Sequence, residues 1–259
     1  MPERARFDMV VLDWAGTVVD FGCQAPAIAL REAFARRGVA VSDTQVRRDM
    51  GRAKEDHVRA MLADPDVAQA WKQTNGSDAA DADVAALMAD LGPLMRDQAA
   101  RAAQLIDGAK STIDALRERR VKIASSTGYT RDMMQPVLRE AARQGYVPDH
   151  LVCSGETPTG RPTPLMIYKA CAELGVWPLS RVVKVDDTES GVAEGRNAGC
   201  FTVGLAASGN CVGLTQEALA ALPAAERTRR LDAAKRSLLA AGADVVIDSV
   251  ADLISVIDR

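Results

Sequence analysis

Acidic and hydroxyl side chains follow several short apolar runs of this 259-residue chain, at the points where those runs end. The first is Asp13, which follows Met9–Leu12 and comes shortly before Thr17. A Val-rich run bounded by glycine is typical of a buried parallel strand, and a carboxylate at its end lies where open α/β sheets bind ligands. Asp13 is therefore expected to be a metal ligand, a nucleophile or both. The alternative is that it only caps a turn.

A second acidic segment consists of two adjacent carboxylates, Asp186 and Asp187, after another apolar run. Because the carboxyl ends of parallel strands meet in one crevice, these acids should lie beside Asp13. Carboxylate and carbonyl oxygens are the ligands that Mg²⁺ prefers. We therefore predict a Mg²⁺ site whose ligands are Asp13, the carbonyl group of Ala15 and Asp187. Asp186 would lie near the ion or bind it through water; alone, the pair would also fit a turn that caps the next helix.

Two further segments are suited to binding phosphate oxygens. Ser125–Gly128 offers hydroxyl and backbone N–H groups where a strand is expected to turn into a helix. Arg161, held between Gly160 and Pro162, presents a guanidinium group that can bind a phosphate or a carboxylate through two hydrogen bonds. Hydroxyl-rich turns and surface arginines are common, so each segment gains meaning only if the fold brings it to Asp13.

The order of the predicted elements accounts for that convergence. Six strands are expected, at Met9–Leu12, Val121–Ala124, His150–Cys153, Val182–Val185, Cys200–Leu205 and Val245–Ile247. Helices separate most of them, and strands joined by helices of this length form right-handed βαβ units and a parallel sheet. The sequence therefore predicts an α/β protein with a doubly wound, Rossmann-like core.

The alternation of strands and helices stops after the first strand. From about residue 24 to 103 the apolar residues recur at helical spacing, and no strand-like run interrupts them. We interpret residues 22–103 as an α-helical cap domain, inserted into an α/β core domain that comprises residues 1–21 and 104–259. Two more helices are expected between Leu214 and Ala241, without a chemical role that the sequence reveals.

Composition argues against several classes of function. The net charge is −3 with scattered basic residues, which gives no surface suited to nucleic acid. No apolar run is long enough to span a membrane, and the N-terminus has no signal-peptide core. The five cysteines form no C-x-x-C pair, which favours free thiols in a reducing compartment. We therefore expect a cytoplasmic protein that binds neither nucleic acid nor membrane.

The motif around Asp13 resembles that of a known superfamily. The pattern D-x-x-G-T-V, from Asp13 to Val18, is similar to the first motif of the haloacid dehalogenase-like phosphatases, in which the aspartate attacks phosphorus. Most of those phosphatases have a second aspartate two residues later, which protonates an oxygen leaving group. Here that position is Ala15. The resemblance therefore implies either an inactive enzyme or a leaving group other than an alkoxide.

Several longer segments resemble one branch of that superfamily, the phosphonatase family of phosphonoacetaldehyde hydrolases. The segments are LDWAGTVVDFG, MGRAKEDHVR, SSTGYTRDMM, TGRPTP, KVDDT and EGRNAGCFTVGLAASGN, and the match covers most of the chain to about Asn210. The resemblance implies cleavage of a carbon–phosphorus bond, giving acetaldehyde and phosphate, in degradation of aminoethylphosphonate. It also implies a small-molecule phosphonate substrate, Mg²⁺ as cofactor and a homodimer formed through the cap.

The matching motifs also imply roles for individual residues. Asp13 would be the nucleophile, and Lys54, in M-G-x-x-K-x-x-H, would form an imine with the substrate aldehyde. Thr127 and Arg161 would bind the phosphoryl group, with Gly128 beside them. Three further residues would line the substrate site: Met50, Cys23 and Tyr129.

An imine would explain Ala15. Cleavage of a C–P bond would expel a carbanion, which is too basic to leave unaided. A protonated imine on the adjacent carbon accepts those electrons as an enamine, so Lys54 would supply the electron sink and no acid is needed at position 15. Asp13 would take up the phosphoryl group as an aspartyl-phosphate, which water hydrolyses.

Lys54 must be neutral to attack an aldehyde, so we expect its pKa to be lowered. A position at a helix N-terminus and a shielded crevice between cap and core would both lower it. His57 lies one turn along the same helix face and is predicted to relay protons during imine formation. The alternative for His57 is a purely structural hydrogen bond.

The fourth family motif departs from the usual pattern. Related phosphatases often have G-D-x-x-x-D, but here Gly191 occupies the position of the later acid. We predict that the pair Asp186–Asp187 takes its place. Two other functions stay open. A phosphatase or phosphotransferase for oxygen esters is disfavoured by Ala15, and a non-catalytic binding protein is disfavoured by the presence of Lys54 and the acids.

Overall fold

A parallel sheet of six strands forms the centre of the molecule, which we describe from a computed structural model over residues 6–258. The strands are β1 (Met9–Leu12), β2 (Lys122–Thr127), β3 (His150–Cys153), β4 (Val182–Asp186), β5 (Phe201–Leu205) and β6 (Val245–Ile247). They lie in the order β3-β2-β1-β4-β5-β6, and every neighbouring pair is parallel. The six strands expected from the sequence are all present.

Both faces of the sheet are covered, as the alternate residues of β1 demonstrate. Val10 and Leu12 belong to one buried apolar cluster, whereas Met9 and Val11 belong to another. A strand buried on both sides needs apolar residues at every position, which is why its sequence is a continuous apolar run. The doubly wound α/β core expected from the sequence is confirmed.

Six helices lie between β1 and β2 in the chain, and we call the first five of them the cap. They are α1 (Gln24–Arg36), α2 (Asp43–Arg48), α3 (Lys54–Leu62), α4 (Pro65–Asn75) and α5 (Asp81–Arg101). The sequence near the N-termini of α2 and α4 explains why these two helices begin where they do. The Ser42 hydroxyl accepts a hydrogen bond from the N–H of Gln45 in a capping box, and Pro65 stands in the first turn of α4. The inserted helices are therefore present, while the domain limits at residues 22 and 103 stay a prediction.

The remaining helices belong to the core. They are α6 (Ala109–Glu118), α7 (Arg131–Arg143), α8 (Leu165–Leu174), α9 (Glu189–Ala198), α10 (Gln216–Ala220), α11 (Ala224–Ala241) and α12 (Leu253–Ile257). The cap rests on the core where α5 packs against α7. The helices α10 and α11 are the two that the sequence predicts between residues 214 and 241. Within residues 6–258, no helix combines the length and the apolar character needed to cross a membrane.

The second strand is longer than the sequence predicts. The prediction ends at Ala124 and places the following hydroxyl groups in a turn, whereas β2 continues through them. Ser125 Oγ lies 2.8 Å from the Tyr146 hydroxyl oxygen. Ser126 Oγ donates to Oε2 of Glu194 at 3.0 Å. Because both hydroxyls have buried partners, they can lie inside the core, and the predicted end of the strand at Ala124 is wrong. Binding of phosphate oxygens by this segment stays a prediction.

Candidate active site

The site lies where the order of the strands reverses. From β1 the chain proceeds to β2 and β3 on one side of the sheet, and β4 lies on the other side. Such a switch point opens a crevice at the carboxyl ends of the two central strands, where α/β proteins bind their ligands. Asp13 directly follows β1, and Asp186 and Asp187 stand at the end of β4. Acids predicted from two distant segments therefore meet at this crevice.

Asp13, Asp186 and Asp187 form a buried acidic cluster, with oxygens from the three carboxylates within 4.8 Å of one another. Burial, and then the charges of Asp13 and Asp186, raise the pKa of Asp187 well above its ordinary value. Burial and then Asp186 raise the pKa of Asp13 to about 6. A cation among such close carboxylates stabilises their charged forms, and an oxygen-only donor set fits a hard divalent ion such as Mg²⁺.

The loop after β1 is shaped to hold the acid that β4 contributes. The carboxylate of Asp187 accepts a hydrogen bond from the backbone N–H of Asn210 at 2.8 Å, and the Thr17 hydroxyl lies 3.4 Å from it. Gly16 has a φ of 81°, and a Cβ atom there would lie 2.2 Å from Oδ2 of Asp187. Only glycine permits this approach. The Gly-Thr pair of the first motif therefore supports Asp187.

Arg161 lies among carboxylates next to the predicted nucleophile. Its Nη1 is 2.8 Å from Oδ1 of Asp13 and 3.3 Å from Oδ2 of Asp186. Its Nε donates to Oε2 of Glu194 at 2.9 Å, and its Nη2 donates to Oγ of Ser126 at 2.9 Å. Burial alone would lower the pKa of Arg161, but the surrounding acids raise it, so the guanidinium stays charged. The residue predicted to bind phosphate is thus fixed beside Asp13.

Sequence reasoning missed two charged residues of this network. Lys184, in β4, is fully buried, and its Nζ lies 2.9 Å from Oδ2 of Asp186 and 3.1 Å from Oε2 of Glu194. Glu194, in α9, therefore joins Lys184 to Arg161. Burial would raise the pKa of Asp186, but Arg161 and Lys184 outweigh it and hold that pKa below its ordinary value. The available signal is a lysine inside the apolar run V-V-K-V-D, which needs a buried acid as its partner.

Lys54 reaches the site from the cap. It is the first residue of α3, its side chain is almost completely buried, and its Nζ lies 5.1 Å from the centre of the Tyr129 ring. Burial lowers the pKa of Lys54 to about 8, and the nearby Cys23 and Asp13 act in the opposite direction. The lowered pKa expected for an imine-forming lysine is therefore present, and burial is its largest cause.

Asp13 of the core and Lys54 of the cap line one narrow cavity of about 20 Å³. Six other residues predicted for the site line it with them: Ala15, Cys23, Met50, Gly128, Tyr129 and Arg161. Thr127 is buried beside the cavity without lining it, and its Oγ1 accepts a hydrogen bond from the N–H of Tyr129. Residues predicted from both sides of the crevice are therefore brought together, while Thr127 supports the turn that carries Tyr129.

His57 does not line this cavity. Its Nε2 lies 2.8 Å from the carbonyl oxygen of Val46, and since a carbonyl only accepts, Nε2 carries the proton. Burial, and then the charge of Lys54, lower the pKa of His57 to about 3, so the ring is neutral. The structural hydrogen bond named as the alternative is present, and the proton relay stays a prediction.

The comparisons with known proteins agree with this geometry. A family model of haloacid dehalogenase-like hydrolases matches residues 7–199. A phosphonoacetaldehyde hydrolase of Paraburkholderia phytofirmans is 45% identical over 248 residues, which are 96% of this chain and 93% of the relative. One of Bacillus cereus is 39% identical over 254 residues, with 98% and 96% covered. The crystal structure of a phosphonoacetaldehyde hydrolase-like protein from Oleispira antarctica is 39% identical and matches with a TM-score of 0.96, covering 98% of this chain and 92% of that one. The chain therefore belongs to the haloacid dehalogenase-like hydrolases and, within them, to the phosphonoacetaldehyde hydrolase family.

Proposed function

We propose that this protein hydrolyses phosphonoacetaldehyde to acetaldehyde and phosphate, in the degradation of 2-aminoethylphosphonate. Relatives that match it over nearly their full length carry the name of that activity. The observation that carries the proposal is the cavity shared by Asp13 and Lys54. Its lining includes a carboxylate that would act as the nucleophile and an amine that would form the imine, and cleavage of a C–P bond next to an aldehyde needs both.

The proposed reaction begins with the amine of Lys54. A pKa of about 8 leaves part of this amine neutral at neutral pH, whereas an ordinary lysine with a pKa of about 10.4 is almost wholly protonated there. The neutral amine adds to the aldehyde carbon and loses water, which gives a protonated imine. The face of the Tyr129 ring, 5.1 Å from Nζ, favours a cation at this position.

Asp13 is proposed to attack phosphorus once the imine has formed. The electrons of the C–P bond pass into the imine, which becomes an enamine, while the phosphoryl group becomes bonded to Asp13. Arg161 would bind the phosphoryl oxygens during this transfer, and its distance of 2.8 Å from Asp13 supports this role. Protonation of the enamine and hydrolysis of the imine release acetaldehyde, and water releases phosphate from Asp13.

We also propose Mg²⁺ as the ion of the acidic cluster, held by Asp13, Asp187 and the carbonyl group of Ala15, with Asp186 nearby. The three carboxylates within 4.8 Å of one another support an oxygen-binding cation there. When bound, the ion would neutralise negative charge on the phosphoryl group. Titration calorimetry of EDTA-treated protein with MgCl₂ should register binding, and a variant with Asp187→Asn should lose it.

Ala15 weighs against a phosphatase for oxygen esters. It lines the cavity beside Asp13, and its methyl side chain has no proton for a leaving alkoxide. The buried Lys54 also weighs against a protein that only binds. Burying an amine costs stability, and a binding protein has no evident need for a buried amine. Both alternatives remain outcomes of the test that follows.

The deciding experiment measures acetaldehyde release from phosphonoacetaldehyde with Mg²⁺, beside phosphate release from p-nitrophenyl phosphate. We expect acetaldehyde from the first and little phosphate from the second. Borohydride added during turnover should label Lys54 covalently, as located by peptide mass spectrometry, and should leave the exposed Lys72 unlabelled. Turnover of the ester alone would contradict the imine mechanism. Folded protein that is inactive on both would favour the binding protein.

Two further proposals rest on the family resemblance. We propose a homodimer formed through the cap, which light scattering after gel filtration would test, with a monomeric mass as the contradicting result. We also propose a cytoplasmic location. All five cysteines are free thiols, which is consistent with a reducing compartment.

A further inference from the structure

The narrow cavity between Asp13 and Lys54 implies that the cap moves in each catalytic cycle. Its volume of about 20 Å³ is small beside a substrate that carries a phosphonate group and an aldehyde. Cap residues such as Lys54 and core residues such as Asp13 line it together, so separating the cap from the core widens it for the substrate.

Arg47, in α2 of the cap, makes polar contacts with the core that this separation would break. Its Nη1 donates to Oδ1 of Asn210 at 3.2 Å, and Nδ2 of Asn210 donates to the carbonyl oxygen of Arg47 at 3.0 Å. The same Nη1 donates to the carbonyl oxygen of Gly22 at 2.9 Å. Gly22 precedes Cys23, which lines the cavity. Arg47 therefore binds both the segment that leads from β1 into the cap and the core loop that contains Asn210.

Asn210 contacts the acidic cluster at the same time. Its backbone N–H donates to Oδ2 of Asp187 at 2.8 Å. The loop is pressed closely onto this acid, since a Cβ atom at Gly209 would lie 2.7 Å from Cβ of Asp187. Ser208 fixes the other end of the loop by donating to the carbonyl oxygen of Gly16 at 2.8 Å. A shift of Asn210 therefore cannot leave the position of Asp187 unchanged.

We propose that Arg47 and Asn210 are positioning residues that couple closure of the cap to the geometry of the metal-binding acids. The inference rests on the proposed Mg²⁺ site. Closure seats Arg47 on Asn210, and Asn210 then fixes Asp187 through its backbone N–H. Linkage requires the reverse as well, so an ion bound to Asp187 favours the closed cap.

The test measures how Mg²⁺ changes the rate at which iodoacetamide alkylates Cys23, read at the peptide level by mass spectrometry. Cys23 is buried in the closed cavity and becomes accessible when the cap opens. In the wild type we expect Mg²⁺ to slow this alkylation by about tenfold, within the usual range of coupling between two sites. Asn210→Ala keeps the backbone N–H that Asp187 accepts and removes both side-chain bonds to Arg47. Mg²⁺ should still bind this variant, as calorimetry would establish, but should no longer protect Cys23.

Three controls keep the result specific. Arg47→Ala removes the guanidinium contacts with Asn210 and Gly22, keeps the backbone carbonyl that accepts from Asn210, and replaces Asn210→Ala should that variant fail to fold. Arg48→Ala removes the neighbouring arginine, which pairs with Asp64 and Asp49 inside the cap, and protection of Cys23 should persist. Alkylation of Cys171, buried in α8, reports general unfolding and should not change.

Two results would overturn the proposal in different ways. Mg²⁺ that binds and protects Cys23 equally in the wild type, Asn210→Ala and Arg47→Ala would remove the coupling and leave the Mg²⁺ site intact. Failure of the wild type to bind Mg²⁺ would remove the metal site and the coupling together. A merely structural role for Asn210 would raise the alkylation of Cys171 along with that of Cys23.

Discussion

Asp186 and Gly191 compete for one space: a Cβ atom at position 191 would lie 2.0 Å from Cγ of Asp186. The carboxylate of Asp186 therefore fills the volume that a side chain at position 191 would enter. A second acid of the fourth motif therefore fits on β4, at Asp186, but not beside it on α9. The predicted replacement of the missing acid by the Asp186–Asp187 pair gains a physical basis, and a swap of the two residues tests it.

Asp186→Gly alone should weaken Mg²⁺ binding by at least about tenfold, since it removes a carboxylate of the cluster. Gly191→Asp alone should destabilise the fold, because its side chain collides with Asp186. The double variant, with both changes, removes the collision and returns an acid to the same space, so it should regain most of the lost affinity. Titration calorimetry decides, and a double variant that binds no better than Asp186→Gly would contradict the shared-space interpretation.

The pH dependence of turnover should follow the amine of Lys54. Its pKa is lowered to about 8, so below that pH most of the amine is protonated and cannot attack the aldehyde. We expect kcat/KM to rise with pH, to reach half of its maximum near pH 8 and to level off above it. Rates measured between about pH 6 and pH 10, with Mg²⁺ saturating, check this. A plateau reached only near the ordinary lysine value would show that the amine is not shifted during turnover.

Replacing Lys54 should stabilise the protein while abolishing its activity. The folded state holds this lysine at a pKa of about 8 against an ordinary 10.5, and the difference corresponds to about 3 kcal/mol of unfavourable burial at pH 7. Below pH 8 that cost is fully present. Between pH 8 and 10.5 the unfolded state binds the proton more tightly, so the wild type gains stability as the pH rises. Urea denaturation of Lys54→Met should therefore show a larger advantage over the wild type at pH 7 than at pH 10.

Glu194→Ala should destabilise the fold strongly, because Arg161 and Lys184 would lose a shared buried partner. Removing one member of a buried ion pair costs about 3–5 kcal/mol. Glu194→Gln keeps the shape and should cost less. Glu226 is the matched control: it pairs with Arg229 and Arg230 on the surface, so Glu226→Ala should change the free energy of unfolding far less than Glu194→Ala. Equal effects of the two alanine variants in urea denaturation would refute the importance of the buried network.

Gly128→Ala should hold the cap away from the core. A Cβ atom at Gly128 would lie 2.5 Å from the carbonyl oxygen of Arg52 and 2.7 Å from that of Gly51, both in the cap. Backbone atoms cannot yield as a side chain can, so kcat/KM should fall by at least about tenfold through impaired closure. Gly92→Ala, inside α5, meets only the end of the Arg96 side chain at 3.9 Å and should leave turnover unchanged. Steady-state rates of the two variants decide, and equal activity would contradict the role of Gly128.

The sequence predicts the parts of this site that depend on strand ends. Asp13 and Asp187 follow apolar runs, and parallel strands bring their ends together whatever the details of packing. Lys184 and Glu194 were not predicted because the partner of a buried charge lies far away in the chain. The predicted end of β2 is wrong for the same reason, because only the folded state provides Ser126 with its partners.

The residues that join cap and core could not be predicted from the sequence either. In the sequence, Arg47 resembles any arginine on a short polar helix, and Asn210 resembles any loop residue. Their hydrogen bonds exist only when the cap is closed on the loop that follows β5. A pattern within one element cannot indicate a contact between two elements that move relative to each other.

The burial of Asp13 between cap and core also limits which molecules can reach its phosphoryl group in the proposed reaction. Only 7% of Asp13 is exposed, and Lys54 and Met50 of the cap line the narrow cavity beside it. Water reaches such a position more easily than an alcohol or sugar hydroxyl attached to a larger body. Selection of the acceptor by size would then make this chain a hydrolase instead of a phosphoryl transferase.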